Sequence, residues 1–307
     1  MKKEKLLSKN IIVCLLALIC CMLWGSAFPC VKIGYKMLGI AADNTASQIL
    51  FAGYRFSLAG LLVIIAGSIA QKKILVPKVN EIPKVMALSA FQTIIQYLLF
   101  YIGLANTTGV KASVIIGSNV FIAVIVSSLI FHLEKLSLNK AIGCIIGFAG
   151  IIIINISGGE FDMNIRLTGE GFMFISTFSY AFSSVLMKKY SKSVNPVMMS
   201  GWQFLFGGIV MSLMGIISGG KVIIDSAPEW NMLFYLAFIS AVAYSLWAVL
   251  LKYNPVSKVA VYGFMNPVIG VILSALLLNE GQQAFGFKGI ISLFLVCIGI
   301  YVVNFRK

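Results

Sequence analysis

KVMALSAFQTIIQYLLFYIGLANTTGVKASVIIGSNVFIAVIVSSLIF, residues 84–131, and NMLFYLAFISAVAYSLWAVLLKYNPVSKVAVYGFMNPVIGVILSALLL, residues 231–278, decide the fold when laid one on the other. The ungapped register gives 13 identities in 48 positions, among them Tyr97 with Tyr244, Lys111 with Lys258, Asn119 with Asn266 and Ser127 with Ser274. Composition alone would give roughly four, so shared apolarity does not account for the match. A similar register lays Trp24 and Lys32 on Tyr180 and Lys188. The chain therefore reads as two copies of one unit, 1–157 and 158–307.

Each unit holds five stretches of the ~20 apolar residues that a helix needs to cross a bilayer. They fall at 11–34, 47–70, 83–105, 110–132 and 139–157, then at 169–188, 197–217, 230–251, 257–278 and 286–304. The 307 residues are 60% hydrophobic and 11% charged, with a mean hydropathy of +0.98. Such a balance excludes disorder, disulfide-stapled scaffolds and nearly every water-soluble domain. The expected fold is an all-α polytopic membrane protein of ten transmembrane helices, arranged as two inverted five-helix repeats. Inversion follows from counting: five is odd, so the second copy enters the membrane from the opposite side. Repeats of that kind are characteristic of secondary transporters.

The net charge of +14 is an orientation signal. With the N-terminus inside, 17 of the 24 basic residues fall on the cytoplasmic face and six on the other, leaving Arg55 within a span. Acidic residues go the other way, with Glu4, Glu81 and Glu134 inside and seven outside, including Glu160, Asp162 and Glu280. Both termini are expected in the cytoplasm. No basic run is interleaved with aromatics, so no nucleic-acid partner is expected. The first span is too long for a cleaved signal peptide and reads as a retained anchor. The six cysteines fall within spans, without metal-ligand spacing, and read as buried thiols.

Polar groups at membrane depth mark candidate sites, because each costs free energy unless it finds a partner or a wet cavity. The candidate substrate-binding residues are Trp24, Ser26, Gln92, Gln96, Tyr97, Asn119, Tyr180, Ser183, Tyr244, Trp247, Tyr262 and Asn266. The same residue types also serve as interhelical glue or interfacial belts. The pairs Tyr97 and Tyr244, and Asn119 and Asn266, stand apart because a site at a repeat interface predicts paired positions. Pro267 follows Asn266 and can break its helix, whereas the first copy has Val120 there. Arg55 is read as snorkelling to the outer interface and satisfying helix carbonyls, with an anion-binding role as its other use. Gly143, Gly147 and Gly150 form a face for close helix contact, expected within a monomer rather than in a homodimer.

Enzyme readings fail on inventory. The sequence has no HExxH, no GxSxG and no phosphate-binding glycine loop, and neither catalytic residues, metal site nor cofactor is expected. No carboxylate lies near mid-membrane, so coupling through an embedded acid is not expected.

Several segments also resemble the drug/metabolite transporter superfamily in its ten-helix EamA branch. They are LWGSAFPCVKIGY (23–35), YRFSLAGLLV (54–63), SYAFSSVLMKKY (179–190), AYSLWAVLLKY (243–253) and VYGFMNPVIGVILSALLLNEGQQAFGFKGI (261–290). The resemblance covers essentially the whole chain. It implies a cavity-forming fold in a bacterial cytoplasmic membrane that moves small metabolites, often amino acids and frequently outward. The candidate cavity is aromatic and amide-rich with no cluster of Lys and Arg, which fits a neutral or zwitterionic substrate better than a phosphate ester. Two rivals stay open: a multidrug exporter of lipophilic compounds, and a non-transporting membrane scaffold or sensor.

Overall fold

The computed structural model describes residues 2–41, 43–107, 115–155, 166–277 and 287–304. Lys111, Glu160, Asp162, Glu280, Arg306 and Lys307 lie outside them, as do the side chains of Lys2, Lys3, Glu4, Ser274 and Lys288.

Helix α1 is Asn10–Met37 and α2 is Thr45–Gln71. The run α3 is Ile82–Ser89, a wide π-helical Ala90–Ile95, and Gln96–Ala105. The run α4 is Asn119–Ile125 followed by Val126–Ile130, and α5 is Leu138–Asn155. In the second half α6 joins Leu167–Gly171 to Phe172–Tyr190, α7 is Pro196–Ile217 and α8 is Ala227–Tyr253. The run α9 comprises Val256–Ala260, a tight 3-10 turn Val261–Phe264, and Met265–Leu277, and α10 is Phe287–Asn304. No strand occurs among the described residues.

Among the described residues five helices are long and apolar enough to cross a membrane: Asn10–Met37, Thr45–Gln71, Val79–Leu104, Pro196–Ile217 and Ala227–Tyr253. Shorter apolar helices cover Ile115–Ile130, Leu138–Ile153 and Ile290–Asn304. Their outward faces carry stripes such as Ile11, Leu15, Ile19 and Met22, or Leu61, Ile65 and Ile69, at helical spacing and exposed. In water such surfaces would drive association; against lipid they cost nothing.

Polar residues set the helix ends. Asn44 Oδ1 accepts from Ser47 N at 3.0 Å, and Asn195 Oδ1 accepts from Val197 N at 3.0 Å with Pro196 in the first turn. Ser226 and Glu229 form a reciprocal capping box at the start of α8. Both asparagine-bearing helices are irregular just before their asparagines. In α9 the tight turn Val261–Phe264 precedes Asn266, and α4 is interrupted at Ser118, immediately before Asn119. In the first copy the irregularity is confined to Ser118, at φ −65° and ψ −14°, and the helix Ile115–Ile130 runs on through Val120.

Two helix pairs carry the closest packing. Along α2 and α7 the glycines stand seven residues apart on each helix: Gly53 faces Ser212 and Gly60 faces Leu205 and Gly201, while Gly208 faces Ser57 and Gly215 faces Leu50. A methyl group on Gly60 would lie 2.5 Å from Leu205 N, and one on Gly215 would lie 2.7 Å from Leu50 N, so backbone touches backbone. The partners descend on one helix as they ascend on the other, which makes the pair antiparallel. The faces of Gly143, Gly147 and Gly150 are also filled within the chain. Gly143 meets Gly299 and Val303, Gly150 meets Ser292, and Gly147 meets Phe264.

The remaining packing has a regular form. Helix α1 packs on α8 and α9, while α6 packs on α3 and α4; α2 also packs on α8, and α7 on α3. Exchanging each helix for the one five places on turns the first set of neighbours into the second.

Candidate functional site

A cavity of ≈ 500 Å³ lies between the halves. Trp24, Ala27, Val31 and Tyr35 of α1 form one wall, and Gln96, Tyr97, Phe100 and Tyr101 of α3 another. Ser176, Thr177 and Tyr180 come from α6, Tyr244 from α8, and Asn119 and Asn266 from the irregular starts of α4 and α9. Exposed Lys32 and Leu104 mark its mouth.

Of the sequence candidates, the structure brings together Trp24, Gln96, Tyr97, Asn119, Tyr180, Tyr244 and Asn266 around this space. The hydroxyls of the repeat mates Tyr97 and Tyr244 share a hydrogen bond of 2.9 Å. The Trp24 ring meets Tyr244 edge-on at 5.0 Å and Tyr180 at 6.4 Å. Aromatic contacts of this geometry fix ring orientation and contribute ~1 kcal/mol each beyond burial. The indole nitrogen of Trp24 and the amide oxygens of Asn119 and Asn266 are buried without a partner among the described residues. Buried polar atoms are ordinarily satisfied, so unsatisfied ones converging on a cavity mark where a polar ligand or water belongs.

The other candidates sit elsewhere. Ser26 Oγ donates to Leu23 O at 2.8 Å and meets Tyr235 Oη at 3.1 Å, and Ser183 Oγ donates to Tyr180 O at 2.7 Å. Trp247 stands behind Trp24, ring to ring at 5.0 Å. Tyr262 is buried, its carbonyl accepting from Cys21 Sγ at 3.2 Å. Gln92 is buried in the wide turn of α3, one residue before Thr93, whose hydroxyl donates to Gln203 Oε1 at 2.6 Å and ties α3 to α7.

Arg55 differs from its sequence expectation. Its side chain does bond a helix carbonyl, Nε to Leu236 O at 3.2 Å, but it is 4% exposed and borders the cavity rather than reaching the outer interface. Tyr35, Gln48, Tyr101, Ser176 and Thr177 also line the cavity and were not among the candidates. The signal for two of them was present, since Ser176 and Thr177 lie four and three residues before Tyr180 on one helical face.

Below Trp24 the bundle closes. Val13, Ala17, Cys20, Cys21, Val185, Ala243, Val259 and Ala260 form a packed core. Beneath it Glu134 gathers three helices. Ser127 Oγ of α4 donates to Oε1 at 2.8 Å, Lys140 Nζ of α5 to Oε2 at 2.6 Å, and Ser257 of α9 gives both its N–H, at 3.0 Å, and its hydroxyl. Burial pushes the Glu134 carboxyl up, but the bonds from Lys140, Ser257 and Ser127 together outweigh it and hold the group below its ordinary value. Both ends of the chain lie on this side, with Lys258 Nζ bonded to Ser8 O and Val303 packed on Gly143. At the mouth end, Glu170 accepts from Thr107 Oγ1 at 2.7 Å and from Arg166 N at 2.8 Å, joining the ends of α3 and α6.

No group of three or more metal-binding side chains occurs among the described residues.

The sequence profile of the EamA-like transporter family matches twice, over residues 11–156 and 167–305. A Bacillus subtilis protein named "Uncharacterized transporter YvbV" is 29% identical over 93% of this chain and 89% of its own length. An Escherichia coli protein named "Probable amino-acid metabolite efflux pump" is 25% identical over 94% and 93%. One solved crystal structure superposes with a TM-score of 0.75 at 16% identity, covering 95% of this chain and 96% of its own, a likeness of fold.

Proposed function

The chain belongs to the EamA-like transporter family, an integral membrane protein and not an enzyme, and from that premise we propose that it exports small neutral or zwitterionic metabolites, amino acids foremost, across a bacterial cytoplasmic membrane. It works by alternating access, rocking two inverted five-helix halves, 1–157 and 158–307, around the central cavity. The ten helical runs are then ten crossings, several of them short enough to sit with little tilt.

One observation carries this reading: a cavity between the halves that opens at one end and is sealed at the other. The exchange of neighbours between the halves, with α2 antiparallel to α7, supports the inverted relation. Inverted halves give two states of similar energy, which alternating access requires. The excess of basic residues on the terminal side supports cytoplasmic termini. The sealed end then faces the cytoplasm and the cavity faces outward.

The substrate would contact Trp24, Gln96, Tyr97, Asn119, Tyr180, Tyr244 and Asn266, with Tyr35, Tyr101 and Thr177 completing the wall. The aromatic lining would also suit a lipophilic cation, the cargo of a drug exporter. Among the described residues no carboxylate lines the cavity to receive one, and Arg55 opposes it.

Purified protein in liposomes should exchange labelled amino acids across the bilayer in a saturable manner. Absence of movement for a broad panel of amino acids and related metabolites, with the protein folded and correctly inserted, would overturn the proposal.

A further inference from the structure

Arg55 is a buried cation with no ion pair among the described residues. It is 4% exposed, and its nearest recorded polar contacts are uncharged: Leu236 O, and Ser240 Oγ at 3.2 Å from Nε and 2.9 Å from Nη2. Its plane is also set by the Phe56 ring, 5.1 Å from Cζ. A guanidinium offers five N–H donors. Two nitrogens are engaged on α8, and Nη1 has no hydrogen-bond partner among the described residues. Leaving a buried charge uncompensated is costly, unless an anion or water completes it.

Glue between α2 and α8 alone would be served by a neutral donor, which would bond Leu236 O and Ser240 Oγ without the cost of a buried charge. A tightly oriented guanidinium beside a cavity, with its free edge not paired by protein, has the form of a carboxylate receptor. At the α4 and α9 side the same cavity is lined by Asn119 and Asn266, whose amide oxygens are buried without a partner among the described residues. Among the described residues the cavity is thus bordered by Arg55 and, at its mouth, by exposed Lys32, with the amides of Asn119 and Asn266 on other helices and no carboxylate.

We infer that Arg55 binds the carboxylate of the transported molecule, fixed in place by Ser240 and Leu236, so that the substrate is oriented with its acid group toward α2 and α8 and its hydrogen-bond donors toward Asn119 and Asn266. The inference rests on the transport reading above and deepens it. A small molecule carrying both a carboxylate and an ammonium group meets every polar feature. An amine without the acid group meets repulsion from Arg55.

The test uses detergent-purified full chain and ligand-induced thermal shift, with leucine, phenylalanine and threonine as probes, each beside its α-amide and its decarboxylated amine. Wild-type protein should bind the acids at least tenfold more tightly than the amides, in keeping with a charge-assisted bidentate contact. Arg55→Gln should weaken the acids by roughly 30-fold or more and the amides by less than about threefold. Arg55→Lys should fall between, because an ammonium keeps charge but not the planar fork. Ser240→Ala, which keeps the charge but frees its orientation, should cost the acids a few-fold and spare the amides.

Equal binding of acids and amides by the wild type overturns the inference without any variant, and so does a wild type that no carboxylate shifts. A uniform loss across acids and amides in folded Arg55→Gln assigns Arg55 to structure and overturns it too. The two proposals separate in liposomes. Arg55-dependent binding of acids with no flux leaves the carboxylate site standing and refutes transport. Flux of amines or amides in preference to acids does the reverse.

Discussion

The two ends of the bundle are made from the same helices yet are opposite in character. At the mouth end the walls are aromatic and amide side chains standing apart, and Glu170 joins the neighbouring ends of α3 and α6. At the terminal end small apolar residues interlock, and Glu134 binds α4, α5 and α9 together. The difference teaches where the conformational choice is made. Apolar packing closes the terminal end non-directionally, but a carboxylate holding donors from three helices specifies one arrangement of them. Because α4 and α5 belong to the first half and α9 to the second, that carboxylate spans the boundary that the proposed alternating access would open.

Breaking Glu134 should therefore erase the contrast between the ends. Glu134→Ala leaves Lys140 and Ser257 without their acceptor, a loss of about 3 kcal/mol for a buried pair. Alkylation of Cys20 and Cys21, located by peptide mass spectrometry, should speed up roughly tenfold or more in this variant. Unchanged labelling would show that apolar packing alone seals the terminal end.

A change common to both ends is the next in size. Gly60→Ala pushes a methyl group against the backbone of Leu205 and should cost about 2 kcal/mol in thermal stability. Its effect on cysteine labelling should be small compared with that of Glu134→Ala; a comparable effect would mean that the axis helices, not the carboxylate, select the closed state.

At the mouth end, Tyr244→Phe removes the hydroxyl bonded to Tyr97 and leaves the ring packing intact. Apparent affinity in liposome exchange should drop about fivefold, the worth of ~1 kcal/mol, with the melting temperature nearly unchanged. No change in flux would remove the tyrosine pair from the site.

The smallest expected effect is that of pH. A carboxyl held below its ordinary value contributes stability that is fully present above the ordinary range near ~4 and is lost as pH falls through the lowered value. The difference in melting temperature between wild type and Glu134→Gln should be flat from pH 5.5 to 8 and shrink only in stronger acid. A change near pH 6 would implicate a group other than Glu134.

Much of the fold was legible because lipid imposes long apolar helices whose ends are set by local polar caps. The expected span 230–251 became Ala227–Tyr253, extended by the box of Ser226 and Glu229. The paired positions were legible too, since Tyr97 and Tyr244 share a register in sequence and a hydrogen bond in space. Serine was the weak indicator. Ser183 satisfies its hydroxyl on a carbonyl three residues back and Ser26 does likewise, so a serine in a span need not face anything. Tyr35 and Gln48 have no local cue, and only the packing of α1 and α2 turns them to the cavity. Arg55 was misplaced for a related reason: a long side chain has several routes to satisfaction, and sequence does not say which helix will supply the carbonyl.

The glycines of α2 and α7 recur every seven residues, and that interval has a consequence for variation in this chain. A face repeating at seven drifts slowly around a helix of 3.6 residues per turn, so the two helices must coil gently about each other to stay in register. Tolerance to substitution along 45–71 and 196–217 should then rise and fall with a beat of seven. Lipid-facing positions between the beats would accept almost any apolar residue, while Gly53, Gly60, Gly208 and Gly215 would accept none. The contact between α2 and α7 would be recognisable from a mutational profile alone, as the place where the permitted side chain is a hydrogen atom.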